Sequence, residues 1–432
     1  MWPGISIAPF PSTSSTGRPT MLPRVILASL ATRKTSAALI VAAIALSLVM
    51  ILGIERLRHQ VHANFASTVS GMDLIVGARG GATNILLYSV FHLSEPTAGI
   101  EWRTVEHLAA HPKVKWWIPI ALGDFHRGFP VVATNDSYLE HYRYGRGQPL
   151  ELAAGEWFAG PDQVVLGSDV ARRLGYDPGA SVVLAHGSGG GPAIVEHNDH
   201  PFTVSGILAP TGTPVDQGLY ISLKAMAVIH SGGRYAYPMP GGPAASDTPD
   251  TVNAVMLRLK QRTAILGLQR ELSRYDGEPL SAIIPGVELQ RLWRMTANME
   301  NALRAASVAV FLVALLVLIS TVLAALEGRR HELAVLRAAG AGRGTVYGVI
   351  VGESLCLTLA GCVGGLLLLF AAQQILAPWA LMEWSLRLPS YLLAWRELPL
   401  VAAVLLAGSL AGLLPAEKAF RNSLADGLTP RS

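Results

Sequence analysis

The residues most able to do chemistry are the histidines. Eleven of the twelve lie between His59 and His230. The tightest group is His186, His197 and His200, with Glu196 and Asp199 beside them. Imidazole and carboxylate are ligand types for Zn²⁺ and related ions. His197 and His200, three residues apart, can hold one ion if the chain turns between them. The run Gly187–Gly191 supports the other reading, a solvated loop with no preformed site. His59 and His62 share that spacing but follow an apolar segment, so hydration at a membrane surface accounts for them. Trp116-Trp117 and Trp157-Phe158 offer either a substrate patch or core. Neighbours on a strand face opposite sides, so at least one of Trp116 and Trp117 packs inside.

Other chemistries lack their residues. No Gly is followed by Lys, so a GxxxxGK[ST] phosphate loop is absent, and Ala341–Thr345 (AGRGT) has no Lys to replace it. Gly187-Ser-Gly-Gly-Gly191 does not sit at a strand-to-helix elbow that would expose a serine nucleophile. Cys356 and Cys362 have neither disulfide-framework nor CxxC spacing. A net charge of +4, with no basic stripe, gives no nucleic-acid partner. The chain therefore reads as a non-enzyme with no cofactor of its own.

The elements that position these residues are set by the apolar content. The chain of 432 residues is 51% hydrophobic and 15% charged, against about 25% charged in a soluble domain. Four uncharged runs, 35–54, 305–326, 354–372 and 398–416, each reach the roughly 20 residues that cross a bilayer. The first has no small-residue cleavage site after it, which makes it an uncleaved anchor. Residues 1–20 are rich in Pro, Ser and Thr, and Met21 is the expected start of the native chain.

The expected fold class is an α-helical membrane protein with four transmembrane helices, one plus three. A large α+β extracytoplasmic domain is inserted between the first and the second. The expected divisions are a disordered segment 1–24, helix one 25–54, outer domain 55–304, helix two 305–326 and cytoplasmic segment 327–345. Helix three at 346–376, an external loop at 377–397, helix four at 398–416 and a cytoplasmic tail at 417–432 follow. Arg18, Arg24, Arg33, Lys34, Arg329, Arg330, Arg337, Arg343, Lys418, Arg421 and Arg431 then share one side. The positive-inside rule makes that side, and both termini, cytoplasmic.

Within the outer domain, alternation predicts strands near 73–79, 114–121, 131–133, 163–166, 181–185, 202–208, 218–222, 252–260 and 280–284. Short helices are expected at 102–110, 169–174 and 263–274. Residues 231–249 read as a loop. From Val287 a helical pattern runs into the second span, as a stalk. Gly361 and Gly365 give the third span a small-residue face. It suits packing against the second or fourth span, or a dimer interface.

The segment Glu327–Arg343 carries Leu333, Leu336 and Gly340 on one stripe, flanked by Arg330, Glu332 and Arg337. A short amphipathic helix of this kind lies on a membrane or docks in a partner's groove.

Arg329-Arg-His-Glu-Leu-Ala-Val-Leu-Arg-Ala-Ala-Gly-Ala341 resembles the signature that follows the second span in the FtsX/MacB-type permeases of ABC transporters. Glu353 matches an acidic position common there. Pro415-Ala-Glu-Lys-Ala-Phe-Arg421 and Leu424–Leu428 resemble the family's ending, with Ser423 where proline is usual. The resemblance implies a permease subunit with a MacB-like periplasmic core domain, in the bacterial inner membrane. It implies a homodimer or a heterodimer with a second permease, and a separate ABC ATPase that binds ATP and Mg²⁺. Residues 327–343 would dock on that ATPase, and its motion would pass to the outer domain by mechanotransmission. The task would be export, or translocation of lipoprotein, peptide or drug, with a periplasmic adaptor or substrate-binding lipoprotein as a further partner. Two other functions fit the same layout: a scaffold that moves an extracytoplasmic enzyme, and a stand-alone membrane sensor.

Overall fold

A computed structural model describes residues 34–145, 147–186, 195–196, 200–230, 248–328, 342–384 and 388–421. Two compact units emerge. Among the described residues, one comprises those up to Arg56, within Asn301–Gln374 and from Ser390 to Arg421; the other comprises those within Leu57–Glu300 and Ile375–Pro389.

The first unit contains the greater part of the apolar helices. Four are long and apolar enough to cross a membrane: Lys34–Thr68, Pro285–Leu326, Arg343–Ala380 and Trp395–Ala419. Their exposed residues exclude a soluble bundle. Leu39, Leu46, Leu312, Leu316 and Leu367 are all more than half exposed, an apolar surface that water does not tolerate but lipid does. The opposite face packs inward. Ile40, Ile44, Leu48 and Leu52 recur every four residues on helix α1 (Lys34–Thr68) and are almost fully buried.

The fourth span departs from the expected single helix over 398–416. It is divided at Gly412, with one helix over Leu398–Ala411 and another over Leu413–Arg421. Pro415 has no N–H to donate to the Ala411 carbonyl, so the regular ladder fails there.

The second unit is built on a mixed sheet, and ten of its strands position the site. They are β1 (Leu74–Ala78), β2 (Val114–His126), β3 (Phe129–Thr134), β4 (Leu152–Gly155) and β5 (Gln163–Leu166). The other five are β6 (Ala185–His186), β7 (Phe202–Leu208), β8 (Leu219–Ser222), β9 (Ala254–Leu259) and β10 (Leu280–Ile283). Their order is β10-β1-β9-β2-β3-β8-β5-β7-β4, with β6 paired to β2. Most neighbours are antiparallel, while β3 with β8 and β5 with β7 run parallel.

Alternation along the strands gives each face its own core. Leu74, Val76, Val131, Leu219 and Val255 lie on one face, and Ile75, Ile118, Val132, Tyr220 and Met256 on the other. Trp117 packs with the first set and Trp116 with the second, as their adjacency requires. Trp157 and Phe158 also pack into core.

The first face is covered by helices α2 (Trp102–Ala110), α3 (Ser168–Leu174), α4 (Leu223–His230) and α5 (Ile265–Leu272). A helix that the sequence pattern does not announce, Ala82–Phe91, contributes Ile85, Leu86 and Phe91 to the second. Its Leu87–Phe91 end is a π-turn rich in aromatic and β-branched residues, a composition that reads more like strand than helix.

Helix α6 (Pro285–Gly328) is continuous for 44 residues. At 1.5 Å per residue this is about 66 Å, roughly twice the hydrocarbon thickness. The expected start near Val287 and the unbroken run through the second span are both observed. The last long helix before span four, α7 (Arg343–Trp384), includes Pro378.

Candidate functional site

Of the three histidines singled out as candidate metal ligands, His186 stands in a cluster of possible ligands. His200 is outside that cluster, and His197 lies outside the described residues. The other members, Asp124 and His230, were not singled out by spacing. Strand β2 supplies Asp124. Its register against β3 shifts between Leu122 and Phe125, a bulge that turns the aspartate out of the regular ladder. The carboxylate is fully enclosed. Strand β6 places His186 directly opposite Asp124 in the β2–β6 pairing. His230 is the last residue of α4, which packs on the first face of the sheet.

The polar atoms converge closely. His186 Nδ1 is 3.1 Å from Asp124 Oδ1, and His230 Nε2 is 3.5 Å from Asp124 Oδ2. The two imidazoles meet at 3.3 Å, His230 Nε2 to His186 Nδ1. His230 Nδ1 donates to the Met226 carbonyl at 3.1 Å. The carbonyl can only accept, so the neutral ring carries its proton on Nδ1 and directs the Nε2 lone pair into the cluster. Protonation would put a donor on Nε2 facing Asp124, and this raises the His230 pKa above its ordinary value, against the opposing effect of burial.

Beside the cluster is a cavity of about 280 Å³, lined by Asp124, His186, His92, Ser94 and Glu95 among others. His92 Nδ1 is enclosed without a hydrogen-bond partner among the described residues. Burial lowers its pKa from 6.5 to about 4. A depressed histidine contributes stability that is fully present above its unfolded pKa and is lost as pH falls towards the folded value. Acidification from pH 7 to pH 5 should therefore cost about 1–2 kcal/mol through this group. Urea titrations of the chain in detergent should show that loss shrinking in His92→Gln. An equal loss in both proteins would show that His92 is not the source.

In the membrane unit, Gly361 and Gly365 face the first span, not the second or fourth. A Cβ on Gly361 would lie 2.7 Å from Ile44 Cβ, and one on Gly365 would lie 2.8 Å from the Ala45 carbonyl oxygen. The fourth span meets the third through other glycines: Gly408 lies against Thr358 and Gly412 against Ser354. The first and third spans need a backbone approach that only glycine allows.

A second polar centre joins the same unit. Arg56 is nearly inaccessible and holds Glu397 in a two-pronged pair, Nε to Oε1 at 2.8 Å and Nη2 to Oε2 at 2.7 Å. Its other donors reach Gln373 Oε1 and the carbonyls of Tyr391 and Leu392. All five guanidinium N–H groups are thus used. Glu397 also accepts from the Ala394 amide at 3.0 Å. Arg343 pairs with Glu417 at 3.1 Å.

The docking candidates Arg330, Glu332, Leu333, Leu336, Arg337 and Gly340 lie outside the described residues.

A scan against protein families matches residues 36–275 to the MacB-like periplasmic core domain. It matches residues 304–424 to the FtsX-like permease C-terminal region. Among solved structures, the periplasmic region of MacB from Actinobacillus actinomycetemcomitans is similar at 12% identity and a TM-score of 0.32, over 53% of this chain and 95% of that one. The extracellular domain of a noncanonic ABC-type transporter, YknZ, from Gram-positive bacteria is similar at 14% identity and a TM-score of 0.30, over 49% and 98%. A search of curated proteins gives no match.

Proposed function

We infer the function from the family to which this chain belongs, the FtsX-like permeases with a MacB-like periplasmic core domain. The chain is accordingly a multi-pass membrane protein of the ABC-transporter permease type, a subunit that is typically non-catalytic. The family implies an ABC ATPase partner and dimerisation. The observation that carries this reading is the order of the two matched regions, 36–275 and then 304–424, which between them reach all four apolar helices.

The finer reading is mechanotransmission. Arg330, Glu332, Leu333, Leu336, Arg337 and Gly340 dock on the ATPase, and its closure on ATP moves the ends of the adjoining spans. Helices α1 and α6 carry that motion outward, because each continues unbroken beyond its span. The cargo is exported or translocated without passing between the spans. The protein sits in the bacterial inner membrane with both termini cytoplasmic, as its basic residues favour.

Affinity capture of the tagged chain from native membranes tests this. Wild type should retain an ABC ATPase that Glu332→Arg/Arg337→Glu loses. Equal capture by both proteins would remove the docking role from this segment.

A further inference from the structure

We propose that Asp124, His186 and His230 form a Zn²⁺ site in the outer domain, with its fourth position open to the adjoining cavity. Three observations converge on the site. The first is its dimensions. Zn²⁺ takes His nitrogen and carboxylate oxygen at about 2.0–2.2 Å in tetrahedral geometry, so its ligand atoms lie about 3.3 Å apart. The two imidazole nitrogens are 3.3 Å apart, and each lies near one oxygen of Asp124, His186 at 3.1 Å from Oδ1 and His230 at 3.5 Å from Oδ2. The carboxylate turns one oxygen to each imidazole, so small rotations bring all three ligands onto one ion.

The second is the support behind the ligands. A metal-binding histidine ordinarily donates its other ring N–H to a carbonyl or carboxylate, which fixes the tautomer and aims the lone pair. The Met226 carbonyl does this for His230. Cross-strand register places His186 opposite Asp124. The ligands come from a strand bulge, a paired strand and a helix end, elements that fix them independently of any one loop.

The third is charge and access. A fully enclosed carboxylate is costly unless an opposite charge or strong donors meet it. A divalent cation held by all three groups would supply that opposite charge. The imidazoles are half-exposed, at 53% and 38% of their side-chain surface, so an ion reaches them from solvent. Two imidazoles with one carboxylate suit a borderline ion such as Zn²⁺ over Mg²⁺ or Ca²⁺, which prefer all-oxygen sets. Asp124 and His186 line a cavity large enough for water or a ligand in the fourth position.

The test uses the full chain in detergent, carrying a histidine-free tag and stripped with a chelator. Calorimetric titration with ZnCl₂ near neutral pH should give one high-affinity ion per chain. Mg²⁺ and Ca²⁺ should not compete. Asp124→Asn and His230→Gln should each weaken binding by about tenfold or more, since even supporting residues of metal sites are worth that much. His200→Gln should bind as wild type does. At one fixed Zn²⁺ concentration, the melting temperature of wild type should rise more than those of the two weakened variants.

X-ray absorption of the Zn²⁺-loaded wild type gives an answer that no folding defect can obscure. A nitrogen/oxygen shell at about 2.0–2.1 Å with imidazole outer-shell scattering is expected. Absence of Zn²⁺ binding by wild type would overturn the proposal. So would undiminished binding by folded variants, or a shell lacking imidazole.

Discussion

Arg56→Ala should destabilise the membrane unit by about 3–5 kcal/mol, the range for removing one partner of a buried pair. The loss is large because Glu397 stays behind, with its charge enclosed and its Arg56 bonds gone. The carbonyls of Tyr391 and Leu392 and the amide oxygen of Gln373 lose donors in the same step. Thermal or denaturant unfolding in detergent measures the effect. The double variant Arg56→Met/Glu397→Leu is the informative comparison. It leaves neither charge buried, so it should recover much of the lost stability. A single-variant loss under about 1 kcal/mol, the worth of an exposed pair, would contradict this account.

The second large effect concerns Gly361 and Gly365. A Cβ at either position falls inside van der Waals contact with helix α1, including the Ala45 carbonyl oxygen at 2.8 Å from the Gly365 position. Backbone cannot swing aside as a flexible side chain can, so the two helices must separate. Gly361→Ala and Gly365→Ala should each cost about 1–3 kcal/mol, as overpacking does. Alanine's better helix propensity, about 1 kcal/mol, offsets only part of this. Gly364→Ala is the control on the same helix: its Cβ would meet Ala45 Cβ at an ordinary 3.9 Å. That substitution should be neutral or slightly stabilising. Melting curves showing all three variants alike would contradict the close approach of spans one and three.

The sequence was most legible where one physical signal dominated. The four spans followed from the length of uncharged runs, and strands such as Gln163–Leu166 and Phe202–Leu208 followed from alternation and turn residues. Pairing across long separations was not legible. Arg56 and Glu397 are 341 residues apart, and neither stands out in its own segment. The small-residue face of span three was visible, but its partner was not, since glycine spacing states that something approaches and not what.

The histidine cluster shows the same limit. Local spacing grouped His186 with His197 and His200, while strand register and a helix end bring it to Asp124 and His230. One signal was available. Asp124 interrupts the otherwise apolar 118–125 stretch of β2, and an acid within a buried strand must have a reason to be there. Residues 82–91 were missed for a different cause: their aromatic and β-branched content competes with helix.

In the proposed function this chain couples a separate ATPase to its outer domain. The most direct measurement is ATP hydrolysis by the complex captured on the tagged chain and reconstituted in lipid, beside Glu332→Arg/Arg337→Glu. The wild-type sample should show Mg²⁺-dependent hydrolysis, with the ATPase subunit identified by mass. The variant should show little of either. A wild-type sample with no ATPase subunit and no hydrolysis would contradict the account and leave a membrane sensor as the better description.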